Sequence, residues 1–256
     1  MKSKLIKKSY NRVLEISPDS KQITMPDSRF YRRNGLYYPS ITHILSYYPK
    51  GIYFEDWLKK VGYSANHIVK EAGKRGTQVH EMIEKYLDGE ELTLLKNDEL
   101  KYPIDSWNMF IRFVEWWELY KPTLIETEVH LFSDKYKIAG TCDMVCEIDH
   151  ELWIIDYKTS NHLQITYDLQ TSAYSQCYEE CYGIKPKRSG VLWLNSNKRK
   201  ASVGKMQGKG WEMYESSRSQ EENFDIYLTV KKLFDLENPN PKPITNSSKT
   251  SAKRIT

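Results

Sequence analysis

The stretch from residue 123 to 158 constrains the fold most. It reads as three strands in succession: 123–132 (TLIETEVHLF), 136–148 (YKIAGTCDMVCEI) and 151–158 (ELWIIDYK). Only Asp149 and His150 separate the last two, and a tight turn of that length joins antiparallel neighbours. Successive side chains on a strand alternate faces, so Asp156 and Lys158 share a face with Ile154 while Ile155 and Tyr157 take the other. A carboxylate and an ammonium emerging together from an apolar strand are expensive to bury unless paired or used. A structural ion pair at a strand end would account for those two alone. Asp143 shifts the balance, because it is an acid among Ala139, Met144 and Val145, just past Gly140, where a backbone can bend or be approached closely. Two carboxylates converging from neighbouring strands repel unless a cation sits between them. Oxygen ligands of this kind suit Mg²⁺ or Mn²⁺.

Helices surround this meander. Apolar spacing predicts helices over about 41–48, over 54–61, and from 64 through His80 to Leu87, with a break near Gly73 and Gly76. Residues 88–102 are polar and loop-like. Pro103 suits the first turn of an amphipathic helix over 103–119, whose stripe of Trp107, Phe110, Ile111, Val114 and Trp117 is expected in the core. A helix at about 166–182 ends at Gly183, a strand follows at 189–194, a weak hairpin at 199–214 and a closing helix at about 220–236. Ahead of all this, residues 12–38 read as a hairpin region around Asn34-Gly35. Strands interleaved with helices in this order predict an α/β unit with a mixed sheet.

The chain of 256 residues suits one domain, with or without an appendage. Four lysines precede residue 9, and Lys242, Lys249, Lys253 and Arg254 follow residue 237 with no acid among them. Basic ends on an acidic body suit a protein that gathers a polyanion, though solvated tails carry the same pattern. No apolar run approaches the roughly 20 residues of a membrane helix. The start, MKSKLIKKSY, lacks the apolar stretch of a secretory signal, so the cytosol is the expected compartment and no membrane partner is expected. Cys142 and Cys146 fall on a strand, Cys177 and Cys181 on a helix; buried free thiols explain them better than a zinc knuckle on turns.

His80 and Glu84 stand four residues apart on one helical face, a spacing that an exposed contact would also satisfy. Taken in order, however, R-G-T-Q-V-H-E-M-I-E (75–84), G-T-C-D (140–143), I-D-Y-K-T-S (155–160) and Q-T-S-A-Y (170–174) resemble the RecB-like branch of the PD-(D/E)XK nuclease superfamily. The pattern is similar to that of the mitochondrial genome maintenance exonuclease group and its phage and bacterial relatives. Pro39-Ser40-Ile41-Thr42-His43-Ile44-Leu45 and Trp57 resemble that group's N-terminal helical region, and the likeness covers about 38–195.

The resemblance implies a restriction-endonuclease-like core over 39–237, preceded by a basic segment and hairpin (1–38) and followed by a disordered basic tail (238–256). It implies that Asp143, Asp156, His80 and the backbone carbonyl of Tyr157 hold metal, and that Lys158 stabilises charge at the scissile phosphate. Gln170 and Tyr174 would position the lysine or the DNA backbone. Glu84 matches the motif without an assigned role, and Glu128 is the accessory acid candidate, with Glu126 its rival. Lys74, Arg75, Thr159 and Ser160 would contact DNA. Iron–sulfur members place one cysteine ahead of the nuclease motifs and three behind; none precedes Cys142 here, so no cluster is expected. The implied activity is Mg²⁺- or Mn²⁺-dependent hydrolysis of DNA with 5′-phosphate products, in phage replication, recombination or repair, in a bacterial or phage-infected cytosol. An exonuclease on single-stranded or frayed ends, with a single-strand-binding or annealing protein as partner, heads the readings. A structure-specific or restriction-like endonuclease and an inactive DNA-binding module stand behind it. Some of the aromatics among the lysines of 47–75 are expected in the core, Trp57 in particular, with the remainder forming a stacking surface for single strands.

Overall fold

The computed structural model describes residues 21–24, 29–195, 198–199, 206–207 and 209–243. It begins with a three-stranded antiparallel sheet of β1 (Lys21–Thr24), β2 (Arg29–Arg33) and β3 (Leu36–Pro39). Asn34 and Gly35 join β2 to β3 with φ of 51° and 75°, the left-handed pair that a two-residue hairpin requires. The expected first strand of the hairpin region, residues 12–17, lies outside the described residues. Helices α1 (Ile41–Leu45), α2 (Ile52–Val61) and α3 (Ala65–Leu87) follow, then a small hairpin of β4 (Leu95–Lys96) and β5 (Glu99–Leu100) within the segment expected to be loop. Helix α4 (Ile104–Tyr120) leads into the meander of β6 (Thr123–Ser133), β7 (Ile138–Ile148) and β8 (Glu151–Lys158). The chain continues through α5 (Ile165–Tyr182), β9 (Arg188–Trp193), the short pair β10 (Lys198–Arg199) and β11 (Met206–Gln207), β12 (Glu212–Tyr214) and α6 (Gln220–Glu237).

The central sheet is mixed, in the order β12-β9-β8-β7-β6. Asp149 and His150 turn β7 into β8 with φ of 50° and 64°. The β8–β9 pair is parallel, as the α5 crossover between them demands. Gly183 ends α5 in the left-handed conformation, the usual glycine stop. A capping box of Ser219 and Glu222 starts α6, tying up two backbone donors that a helix end leaves free. Only Glu212–Tyr214 of the expected 199–214 hairpin joins the main sheet, pairing with β9; residues 200–205 and 208 lie outside the described residues.

Helices cover both faces. On one, α1, α5 and α6 bury Ile41, Leu169, Tyr174, Tyr178 and Tyr227 against Val129, Val145 and Ile154. On the other, α3 and α4 bury Val79, Met82, Phe110, Phe113 and Trp116 against Met144, Ile155 and Tyr157. This is an α/β fold with a central mixed sheet flanked by helices, and the face alternation of Ile154 against Ile155 and Tyr157 is as the strand period requires.

Three local expectations are corrected. Helix α3 runs unbroken through Gly73 and Gly76. Glycine weakens a helix interior by only about 1 kcal/mol, and Gly76 has a packing reason: a Cβ there would stand 3.3 Å from the Thr159 hydroxyl oxygen. The buried side of α4 is Ser106, Met109, Phe110, Phe113 and Trp116, with Ile111 exposed and Trp107, Val114 and Trp117 half-buried. The stripe is rotated because residues 109, 113 and 116 fit helical spacing equally well and meet the sheet. Trp57 is half-buried on a helix with no buried residue, touching the Phe54 ring at 5.6 Å. Tyr47 and Tyr48, in contrast, pack against the core.

Gly140 marks the closest approach of helix to sheet. A Cβ on it would fall 2.5 Å from a Tyr174 ring carbon and 3.2 Å from the Ile41 side chain. Gly140→Ala is therefore expected to destabilise the fold by about 1–3 kcal/mol through overpacking, measured by urea denaturation. A loss below about 0.5 kcal/mol, the range of an indifferent surface change, would mean that Tyr174 moves aside freely.

Candidate active site

The sheet opens at one corner. The β7–β8 ladder runs from Ile148–Glu151 to Met144–Ile155, and one step further Asp143 and Asp156 come out opposite each other as the strands part. Both are buried, at 8% and 2% exposure. With the ladder ended there, the backbone N–H of Tyr157 donates to Asp143 Oδ2 at 2.7 Å. On the other side of β8 the parallel pairing reaches Lys158–Trp193, and the Leu194 N–H donates to the Lys158 carbonyl at 2.8 Å. The strand end that carries both functional groups is thus pinned from two sides.

Helix α5 serves Asp156. Lys158 Nζ lies 2.5 Å from Asp156 Oδ2 and donates to Gln170 Oε1 at 3.2 Å. Gln170 Nε2 donates to Asp156 Oδ1 at 2.7 Å and to the Tyr174 hydroxyl at 2.9 Å. Residues 170 and 174 are one helical turn apart, and Tyr174 reaches this position over Gly140.

Helix α3 serves Asp143 from the opposite face. His80 Nδ1 lies 3.5 Å from Asp143 Oδ1, its ring edge-on to Tyr157 at 5.4 Å. Burial alone would pull the imidazole down, but the Asp143 charge and hydrogen bond, with Asp156 behind, raise its pKa to about 9. Burial pushes Asp143 up, yet His80, Lys158 and the Tyr157 N–H hold it below the usual carboxylate range. Asp156 rises to about 6, mainly from burial and the nearby Asp143 charge, against the pull of Lys158. Lys158 is raised despite its burial, by Asp156 and Asp143.

Strand β6 supplies a third acid. Glu128 falls between the paired positions Thr127–Met144 and Val129–Cys142, beside Asp143, with φ of 50°. Its side chain remains accessible to solvent, but desolvation and the Asp143 charge raise its pKa to about 7. His80, Glu128 and Asp143 each offer a ligand atom within 4.8 Å of the others. One imidazole nitrogen and two carboxylates, in a pocket already short of compensating positive charge, fit a divalent cation of the Mg²⁺/Mn²⁺ kind.

The family model of the PD-(D/E)XK nuclease superfamily matches residues 57–239. The chain belongs to this superfamily. It is a nuclease, and membership implies DNA as substrate and a divalent metal. Two solved structures are similar: a candidate exonuclease from Eubacterium rectale, 12% identical, with a TM-score of 0.39 over 72% of this chain and 76% of that one, and SSO0001, 10% identical, with a TM-score of 0.28 over 64% and 87%. At these scores neither adds to the assignment. No curated protein matches. No helix among the described residues is long and apolar enough to cross a membrane.

The remaining candidates of this PD-(D/E)XK nuclease divide. Glu84 is exposed, and its charge contributes to the raised pKa of Glu128, but it is outside the ligand group. Glu126 is half-buried and, after burial, helps to raise the pKa of Tyr182; Glu128 is the acid that joins the cluster. Asp156 contacts Lys158 and Gln170, while His80, Glu128 and Asp143 bring their ligand atoms together. Lys74 is exposed and paired with Glu71 at 2.7 Å. Arg75 is half-buried, and its Nε has no partner. Thr159 faces Gly76, and Ser160 accepts the Trp193 indole N–H at 2.7 Å. The cysteines are free thiols, three of them buried. Sequence reading missed Gly76, whose signal was present but taken for a helix break. It also missed Tyr167, which carried no signal: its ring centroid lies 4.8 Å from Lys158 Nζ.

In the metal-free protein the His80 imidazole should titrate near pH 9 by NMR. Because that pKa is raised, its ion pair contributes fully to stability below about pH 6.5 and is lost as pH rises through about 9. In Asp143→Asn the midpoint should drop by more than about one unit, since burial then acts with less opposition. An unchanged midpoint would remove Asp143 as the cause.

Proposed function

We propose that this nuclease is a RecB-like exonuclease that degrades DNA from single-stranded or frayed ends with Mg²⁺ or Mn²⁺ and leaves 5′-phosphates. One observation carries the reading: a cation ligand set and the buried Asp156–Lys158–Gln170–Tyr174 chain meet at a single open corner of the sheet. The order of the four motifs supports the RecB-like branch and a likeness to mitochondrial genome maintenance exonucleases and their phage relatives. A role in recombination or repair in a bacterial or phage-infected cytosol, beside a single-strand-binding or annealing protein, belongs to the same reading.

His80, Asp143 and Glu128 would hold the cation, with Asp156 and the Tyr157 carbonyl as further oxygens; the imidazole nitrogen favours Mn²⁺ over the harder Mg²⁺. When bound, such an ion supplies Lewis-acid activation of water and of the phosphate. Lys158 sets an ammonium at the same corner, where it offsets negative charge growing on the scissile phosphate. Gln170 orients both charged groups at once, since its amide nitrogen donates to Asp156 and its oxygen accepts from Lys158. Tyr174 takes the other amide hydrogen and fixes Gln170 in turn. Glu84, one turn beyond His80, tunes Glu128 through its charge. Arg75, with a buried donor lacking a partner, suits a backbone phosphate, and Lys74, Thr159 and Ser160 line the approach.

The preference for free ends rests on α2 and the first half of α3. Helix α2 buries no residue. Tyr53 is 88% exposed, Tyr63 fully so, and Lys59, Lys60, Lys70 and Lys74 lie on the same exposed segment. Rings and ammonium groups together suit stacking and phosphate contact with a single strand.

Linear single-stranded DNA should be degraded, covalently closed circles should resist, and excess EDTA should stop both. Lys158→Ala should lower the rate by ~10²–10³ with the fold intact by circular dichroism. Circles cut as fast as linear strands would replace the exonuclease reading with an endonuclease one. Wild-type turnover by Lys158→Ala would remove the site.

A further inference from the structure

We propose that Tyr167 is a positioning residue for Lys158, holding its ammonium by a cation–π contact; this rests on the nuclease reading of the same site. A lysine ammonium has three N–H donors on a flexible four-carbon stem. Its Nζ pairs ionically with Asp156 Oδ2 at 2.5 Å and donates to Gln170 Oε1 at 3.2 Å. The Tyr167 ring, centred 4.8 Å from Nζ, lies within the roughly 6 Å reach of a cation–π contact.

Packing does not explain the ring's position. Tyr167 is half-buried and belongs to none of the apolar clusters of the core. Its hydroxyl makes no hydrogen bond among the described residues, and its backbone N–H closes the first turn of α5 on the Gln164 carbonyl at 3.0 Å. Gln170 follows three residues later, on the same helical face. One turn of α5 therefore presents a ring and an amide oxygen to the same ammonium.

The chemistry explains the choice of a ring. Asp156 is the one full negative charge in contact with Lys158, and the same carboxylate is a candidate to face a cation. A second carboxylate, in place of Tyr167, would hold the ammonium but cancel the charge it must offer a phosphate. An aromatic face holds it through its quadrupole and leaves the net charge in place.

Tyr167→Leu keeps apolar bulk without the ring face, and Tyr167→Phe keeps the face without the hydroxyl. On linear single-stranded DNA with Mn²⁺, the Leu variant should lose roughly 3- to 30-fold in kcat, the range of a cation–π contact, with KM changed by less than about twofold. The Phe variant should recover to within about twofold of wild type. A Leu variant as fast as wild type, a Phe variant as slow as Leu, or a loss confined to KM would overturn the proposal, the last by making the ring a DNA contact.

Competitive acetylation of the metal-free protein, read by mass spectrometry, supplies the second measurement. Labelling of Lys158 relative to exposed Lys121 should rise in the Leu variant and stay at the wild-type level in the Phe variant. Equal labelling in all three proteins would overturn the proposal. Because this arm needs no cleavage, a wild type that fails to cut DNA would sink the functional reading while the labelling still decides the role of Tyr167.

Discussion

Asp143 and Asp156 face each other where β7 and β8 cease to pair, and both are nearly sealed from water. Two buried carboxylates at such a fork are unfavourable unless positive charge is supplied. Here it comes from opposite directions: His80 on α3 answers Asp143, and Lys158 answers Asp156. The proton on His80 does in the metal-free protein what a cation would do when bound. If the His80, Glu128 and Asp143 group held a cation, its occupancy and protonation of His80 would be competing solutions to one electrostatic problem. Lys158 has further contacts besides Asp156: it donates to Gln170 Oε1, and the Tyr167 ring centroid lies 4.8 Å from its Nζ.

This arrangement needs helices on both faces of the sheet. His80 arrives from the face packed by α3 and α4, Gln170 and Tyr174 from the face packed by α5. A sheet covered on one side could answer only one of the two acids. Close approach is the geometric condition, and it is met at two glycines: Gly140 admits the Tyr174 ring, and Gly76 brings α3 against Thr159 at the end of β8. Each lies a few residues from a member of the group that could hold a cation, Gly76 from His80 and Gly140 from Asp143.

Much of this was legible in the sequence because strand alternation and short turns leave few choices. The two-residue Asp149-His150 turn fixes the β7–β8 register, and that register alone brings residues 143 and 156 together. The spacing of Gln170 and Tyr174 does the same on a helix. What was not legible depends on tertiary contact. Glu128 was already the accessory acid candidate ahead of Glu126, but its left-handed φ of 50° is not encoded by side-chain periodicity. On α4 the predicted stripe lies one step off the fully buried face: Phe110 is in the core and Trp107, Val114 and Trp117 pack against it, but Ile111 is exposed while Met109, Phe113 and Trp116 are buried. Trp57 was expected to pack, yet among the described residues it is only half-buried, against Phe54.

The two pieces at the N-terminal end differ in a way the family match does not capture, since that match begins at residue 57. The three-stranded sheet buttresses the site from outside it. Tyr31 shares a 2.8 Å hydrogen bond with Thr141, two residues before Asp143; Ser40 bridges to Ala139; and Ile41 closes on Gly140 beside the Tyr174 ring. Strand β7 would otherwise reach the fork supported only by β6 beyond its last β8 pair, with Asp143 free to rotate with the local backbone. Helix α2 has the reverse character: among the described residues it buries no side chain, leaving Ile52, Tyr53 and Leu58 exposed and Phe54 and Trp57 half-buried. The N-terminal sheet limits how the acid on β7 can move, whereas α2 leaves apolar surface in water.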